Sequence, residues 1–267
     1  MKYGEEYLYA YFRCGRWLAE FRVVRLFRYP VKSLLGEEVR DVDVSFEGFD
    51  GDRLFAVVDT GTGLALSAKG EPRLLTVGAR LVHGELELIF PEEAVRENYD
   101  ERLTNFLQRP VRLLRNNGTS LSFRGLEIDF EKGAVYEKTG ETRETRFHDS
   151  MPIHLINLRS LEKMGLSLDD AARFRPNIVF SAEQDDETLV GGYLQAGDAV
   201  LKIVKPTRRC IVITHQQKNL GRNLELLRTL RANSEGKFGL YATVVKPGKI
   251  SVDDRLRFYP AETHHTT

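Results

Sequence analysis

The hexapeptide Lys205-Pro206-Thr207-Arg208-Arg209-Cys210 sets one thiol among cations directly after an apolar run. Cysteine ligates metals and attacks electrophiles as the thiolate, and nearby positive charge favours that form, so Lys205, Arg208 and Arg209 are read as cations that favour it at Cys210. A lone cysteine between apolar neighbours is more commonly a small buried hydrophobe, so the other loops of the chain must decide between the two readings. Residues 199–204 have the apolar, β-branched content of a strand and 211–214 that of a second, with Pro206 interrupting the ladder between them. Cys210 is therefore expected at or just beyond a strand boundary.

Further polar and cationic residues fall in what read as loops following strands: Lys32-Ser33, Asp52-Arg53, Asp149-Ser150, Arg175 with Asn177, and Arg208-Arg209. Singly, each reads as a surface charge or a turn residue. His148, His154 and His215 lie near these positions in sequence and could carry protons. Gly61-Thr62-Gly63 starts like a dinucleotide loop, but no third glycine or helix start follows. No Walker loop, no Cys-x-x-Cys and no His/Cys pair at ligand spacing occurs, which excludes a zinc or iron–sulfur site built from this chain alone. Any redox role would need electrons from elsewhere.

The elements that must position these residues read as short strands. Strands are expected at 21–29, ended by Pro30, around Val42, Val44 and Phe46, and in a hairpin of 54–58 with 64–67. A second hairpin pairs 74–82 with 85–90 at His83-Gly84, and Leu103, Phe106 and Leu107 mark a short helix stopped by Pro110. Strands follow at 111–114, 120–123 and 126–130, whereas 132–146, rich in Gly, Glu, Thr and Lys, reads as a mobile connection or a boundary. The second half carries an apolar run at 153–158, helices at 160–164 and 169–174, and a strand at 178–181. A helix at 223–232, capped by Asn223 with Leu224, Leu227 and Leu230 inward, precedes a strand at 239–245.

The chain has 267 residues, 39 basic and 39 acidic, so no net charge draws it to nucleic acid or anionic lipid, although a local basic cluster can still take a small anion. Glu5, Glu6, Arg13, Arg16 and Glu20 leave no uncharged apolar run for a signal peptide or membrane span. Cys14 and Cys210, far apart in such a chain, read as reduced thiols of a cytoplasmic protein.

In order along the chain, Tyr29-Pro30-Val31-Lys32-Ser33 with Gly36, Gly51-Asp52-Arg53, Glu71-Pro72-Arg73-Leu74, Asp149-Ser150, Phe174-Arg175-Pro176-Asn177-Ile178, Gly197-Asp198, Arg209-Cys210 and Phe238-Gly239 together resemble one family. This is the MOSC family, the molybdenum cofactor sulfurase C-terminal domain proteins, in the group that joins an N-terminal β-barrel domain to the MOSC domain. The resemblance runs from about Arg22 to Leu256.

It implies a mainly β fold with some α (α+β), in which a MOSC β-barrel packs on an N-terminal β-barrel domain with a few short helices. The implied division is a variable extension at 1–20, the N-terminal domain at 21–132, the MOSC domain at 133–260 and a disordered tail at 261–267 that holds His264 and His265. Cys210 would ligate the molybdenum of a pyranopterin cofactor and be the catalytic position, soft sulfur suiting that class of metal. Lys32, Arg53 and Arg175 would hold its phosphate, and Ser33, Asp52, Asp149, Ser150, Asn177 and Arg209 would complete the cofactor site. The implied activity is reduction of small N-hydroxylated or N-oxygenated compounds, with electrons from a separate reductase or a ferredoxin-like protein. The alternative is a carrier of sulfur, as a Cys210 persulfide, or of the cofactor, without turnover. The chain departs from the family pattern at Lys69, where an arginine is usual, at 185–188, which lack an aromatic, and at 213–216.

Overall fold

The computed structural model describes residues 17–129 and 134–261. Most of the expected N-terminal extension, with Cys14, and most of the expected tail, with both of its histidines, lie outside the described residues.

Seven strands close into a barrel: β1 (Ala19–Arg28), β2 (Ile153–Asn157), β3 (Ile178–Ser181), β4 (Tyr193–Ala196), β5 (Ala199–Arg208), β6 (Lys237–Lys246) and β7 (Arg255–Tyr259). The order around the barrel is β3, β2, β6, β5, β4, β7, β1, and β1 returns to pair with β3. Only the β2–β3 pair is parallel. The first strand of the chain thus closes a barrel otherwise made by the second half, Leu26 opposite Ile178 on one side and Phe21 opposite Leu256 on the other. Closure leaves no free edge, and the alternating side chains turn inward to form a core of Val23, Leu26, Phe180, Leu201, Leu240 and Phe258.

Residues between β1 and β2 form short sheets around a second core, in which Val31, Leu34, Val57, Leu74, Leu88 and Leu103 are buried. Phe55–Asp59 pairs with Val111–Arg115, and Gly78–Val82 with Glu85–Ile89 across His83-Gly84 as expected. Residues 64–66 return beside 57–59 through the Val58–Ala65 bridge, which gives a looser hairpin than expected. Among the described residues, no helix is long and apolar enough to cross a membrane.

Four local expectations fail. Within the stretch expected to be a mobile connection or a boundary, residues 134–141 are not a bare connection: Ala134–Glu141 pairs along its length with Ser122–Asp129, since a backbone ladder does not need apolar side chains. Residues 74–82 are not one strand; Pro72 opens a 3-10 turn that ends at Thr76, and the strand starts at Gly78. Residues 211–214 form the 3-10 helix Ile211–Thr214 rather than a strand, because Ile213 is drawn into the cluster with Phe174, Leu227 and Phe238. Pro206 does not interrupt β5; it pairs opposite Leu240 between two register shifts, where a bulged ladder tolerates the missing donor. The last helix is Glu225–Ser234, with Asn223 Oδ1 accepting from the Leu226 N–H at 3.1 Å. It buries Leu226, Leu227 and Leu230, whereas Leu224 faces solvent.

Candidate functional site

The loops that follow β1 and β5, those that precede β2 and β3, and the segments around Arg53 and Ser67 converge on a cavity of about 150 Å³. Its wall includes Lys32, Ser33, Arg53, Asp149, Ser150, Arg175, Asn177, Arg209 and Cys210, every residue of the expected set except Asp52. Asp149-Ser150 and Arg175–Asn177 lie ahead of barrel strands rather than after them. Cys210 is half-buried and stands two residues past the end of β5, at the start of the 3-10 helix. Arg208 and Arg209 line the cavity with it, while Lys205 is solvent-exposed and outside the wall.

Asp52, fully buried, organises the wall from behind. Its Oδ1 accepts the Tyr29 N–H at 2.7 Å and the Arg53 guanidinium at 2.6 Å, and its Oδ2 accepts the Asn177 amide at 3.2 Å. Asn177 is a frame residue as well as a wall residue, because its Oδ1 accepts the His154 N–H at 3.1 Å. The guanidinium carbons of Arg53 and Arg175 sit 4.3 and 4.5 Å from the centroid of the Tyr29 ring, whose negative face attracts them. Ser33, Arg53 and Arg175 all have positive φ, at 67°, 49° and 57°. Such a backbone costs a non-glycine residue on the order of 1 kcal/mol. Tertiary bonds hold it here, the Arg53 N–H on Tyr29 O at 2.8 Å and the Ala68 N–H on Ser33 Oγ at 3.1 Å.

The electrostatics are one-sided. Lys32, Arg53, Lys69, Arg175, Arg208 and Arg209 line the cavity, and the carboxylate on its wall is that of Asp149, which pairs with the Lys32 ammonium. Burial first, then Arg53, Arg175 and Lys69, push Lys32 down to about 7. Burial and Arg53 push Arg175 down to about 10, and burial lowers Arg209 as well. Cations held under such mutual repulsion are stabilised by a bound anion. Two wall residues also keep buried polar atoms without a partner, Arg209 Nε and His148 Nε2. Among the described residues no three His, Cys, Asp or Glu side chains gather to hold a metal. Two sulfur atoms line the cavity, the Met151 thioether and the Cys210 thiol, and of these only the thiol can ionise to an anionic soft donor.

Residue reading did not single out Tyr29, Ser67, Phe174 or Tyr241 for the site, although Tyr29 and Phe174 open two of the motifs that carry the resemblance. The Ser67-Ala68-Lys69 loop arrives through the Ser33–Ala68 bond, and Phe174 acts through its carbonyl, which accepts from Arg209 at 2.7 Å. Two of the three neighbouring histidines, His148 and His154, line the cavity, and His215 does not. His154 lies with Nδ1 3.3 Å from Arg175 O and Nε2 3.2 Å from the Arg209 guanidinium. Burial and Arg209 hold it neutral, well below the usual histidine range, so its ring braces the arginine next to Cys210.

Two family models match the chain, the MOSC N-terminal beta barrel domain over residues 20–123 and the MOSC domain over residues 142–257. The molybdenum cofactor sulfurase of Drosophila grimshawi is 24% identical over 82% of this chain and 32% of its own length. The chain thus spans about a third of the sulfurases it matches. Mitochondrial amidoxime reducing component 2 of Rattus norvegicus is 26% identical over 87% of this chain and 81% of its own length. The solved structure of the YuaD protein from Bacillus subtilis aligns over 92% of this chain and 100% of its own, at 12% identity and a TM-score of 0.44.

Proposed function

Since this chain belongs to the MOSC family, joining a MOSC N-terminal beta barrel domain to a MOSC domain, we propose that its cationic cavity binds a molybdenum cofactor through Cys210 and serves the reduction of N-hydroxylated or N-oxygenated compounds. The carrying observation is that the half-buried thiol of Cys210 shares one small cavity with Lys32, Arg53, Arg175 and Arg209. The residues fit the group: a soft sulfur donor for the metal, and cations for its phosphate.

Cys210 Sγ is the ligand that this chain gives the metal. Lys32, Arg53 and Arg175 take the phosphate oxygens, the two arginines presented by the Tyr29 ring and the Asp52 carboxylate. The hydroxyls of Ser33 and Ser150 and the carboxylate of Asp149 serve the polar edge of the pterin. Arg209, fixed by Phe174 O and His154 Nε2, holds positive charge beside the sulfur. When bound, the cofactor supplies the two-electron chemistry by which an N–OH group takes up two protons and two electrons and leaves as N–H and water. The electrons come from a separate reductase or ferredoxin-like protein. The name of the rat relative, an amidoxime reducing component, supports this choice of reaction.

The sulfurase relatives favour a second reading, in which Cys210 carries sulfur as a persulfide, or the chain carries the cofactor, without turnover. A sulfur adduct on Cys210 by mass spectrometry, with no N-hydroxyl reduction by an artificial electron donor, would select it. The leading proposal is tested by metal analysis of protein made in a host that assembles the cofactor. Near-stoichiometric molybdenum is expected, and Cys210→Ala should lose it; metal content unchanged by that substitution would sink ligation by Cys210.

A further inference from the structure

Charge is spread unevenly along this chain. Residues 205–237 carry eight basic and two acidic side chains, against 31 and 37 in the rest of a sequence whose totals balance. Both acids of the segment are held within it, Glu225 by Arg228 and Glu235 by Lys237. Arg208, Lys218 and Arg222 are exposed, and no carboxylate among the described residues forms an ion pair with any of them. Such an excess, set in a neutral chain, is a local field rather than a property of the whole molecule.

The fold gathers these cations next to the cavity. The Asn223 N–H donates to Thr214 O at 2.9 Å, and the Arg173 guanidinium reaches the carbonyls of Ile213, His215 and Gly221. The chain that follows Cys210 is thereby folded back on its 3-10 helix, and Arg222 is kept close to it. The last helix buries Leu226, Leu227 and Leu230 in the cluster that holds Ile213, and turns Leu224, Arg228 and Arg231 outward at the i, i+4, i+7 spacing of one stripe. Beyond its end the Arg209 N–H donates to Gly236 O at 2.7 Å, and a Cβ on Gly236 would stand 3.4 Å from Arg231 Cγ. Lys237 lies opposite Arg208 in the β5–β6 ladder, and Arg208 lines the cavity with Cys210. The basic surface therefore runs without a break from the outer stripe of the helix to the rim of the cavity.

A surface of this kind selects its partner by charge. Complementary charge raises the rate of encounter more than the final affinity, and electron carriers, which must dock and leave quickly, use small contacts of that sort. Single-stranded nucleic acid would need aromatic side chains for stacking, and residues 205–237 contain no Phe, Tyr or Trp. We propose that Arg208, Arg222, Arg228, Arg231 and Lys237 form the docking surface for an acidic single-electron carrier protein of the ferredoxin type, seated at the rim beside Cys210. This rests on the reduction proposed above and locates its electron donor. Each encounter oxidises one carrier by one electron, so two encounters and two protons from solvent match one N–OH group converted to N–H and water.

The test uses a purified plant-type ferredoxin, titrated calorimetrically at low salt into the intact chain made in a cofactor-assembling host. Arg222→Glu and Arg228→Glu should each weaken binding on the order of fivefold. The differences should fade in about 1 M salt, where the screening length is only about 3 Å. Arg257→Glu changes the net charge equally but lies opposite Glu20 at the start of β1, at the far end of the barrel, and should change nothing. Arg222→Gln and Arg228→Gln serve, with smaller effects of the same sign, should the reversed charges prevent folding. With reduced ferredoxin as donor, the double variant should raise the KM for ferredoxin and leave the rate with a small viologen donor unchanged. No ferredoxin binding, equal weakening by Arg257→Glu, or none by Arg222→Glu and Arg228→Glu would overturn the proposal. So would tighter binding of a DNA duplex that the same variants abolish. Binding that follows the expected pattern in protein without molybdenum would count against the function proposed above and leave the docking surface standing.

Discussion

The amide of Asn177 donates to the carboxylate of Asp52 at 3.2 Å, across 125 positions of sequence, and both side chains are buried. That bond ties the loop ahead of β3 to the loop that carries Arg53. Around it the same carboxylate also holds the Tyr29 N–H and the Arg53 guanidinium.

Removing Asp52 should therefore cost more than any single bond. Asp52→Ala strands three buried donors and leaves Arg53 uncompensated, so unfolding in urea should show a loss of about 3–5 kcal/mol. Asp52→Asn should recover part of it. A loss below about 1 kcal/mol would show that the wall does not depend on this carboxylate.

Gly239 marks where β6 passes His154. It has φ +80°, and a Cβ there would stand 2.6 Å from Ile156 Cδ1, 2.7 Å from Leu155 O and 2.8 Å from His154 Nε2. A backbone carbonyl cannot swing away as a flexible side chain can. Gly239→Ala should cost roughly 2–4 kcal/mol through left-handed strain and overlap together. Thermal unfolding measures it, and an unchanged midpoint would contradict the packing.

Anion binding should depend on the Lys32 proton. With the ammonium pushed down to about 7, a sulfate ion that restores the charge must bring a proton with it above that pH. Affinity should be flat below pH 7 and fall by up to about tenfold per pH unit above it, as linkage to one proton requires. Lys32→Met should bind sulfate more weakly and lose the slope. Sulfate is the appropriate probe because it does not titrate in this range, and equal affinities at pH 6 and 9 would refute the linkage.

Acid stability carries the opposite experiment on His148. Its folded pKa, about 4, lies below the ordinary 6.5, so between these values the unfolded chain binds a proton that the folded chain refuses. Stability should therefore be complete above pH 6.5, decline as the pH falls toward 4, and lose nothing more to this group below that. His148→Leu should remove this part of the decline, so its denaturation midpoint relative to wild type should rise on acidification. Parallel curves for the two proteins would exclude the linkage.

The sequence by itself determined the thiol and its arginines, the position of Cys210 just past a strand, the β-rich class, and the order of motifs that places the chain in its family. These were legible because each is local: a residue type, an alternation or a short string is complete within a few positions. The failures were local as well. The β-branched run Ile211–Thr214 looks like a strand until the cluster around Phe174 takes Ile213, and the polar run at 134–141 looks like a connection until a partner strand lies beside it.

Only the tertiary structure decided that β1 closes the second half's barrel, since its partners Ile178 and Leu256 lie more than a hundred residues away. It alone put Asp52 behind the wall and Tyr29 against two arginines, and it alone set the His154 ring between Arg175 O and the Arg209 guanidinium. A side chain's charge state and bonding follow from what surrounds it after burial, and the order of residues along a chain does not specify those surroundings.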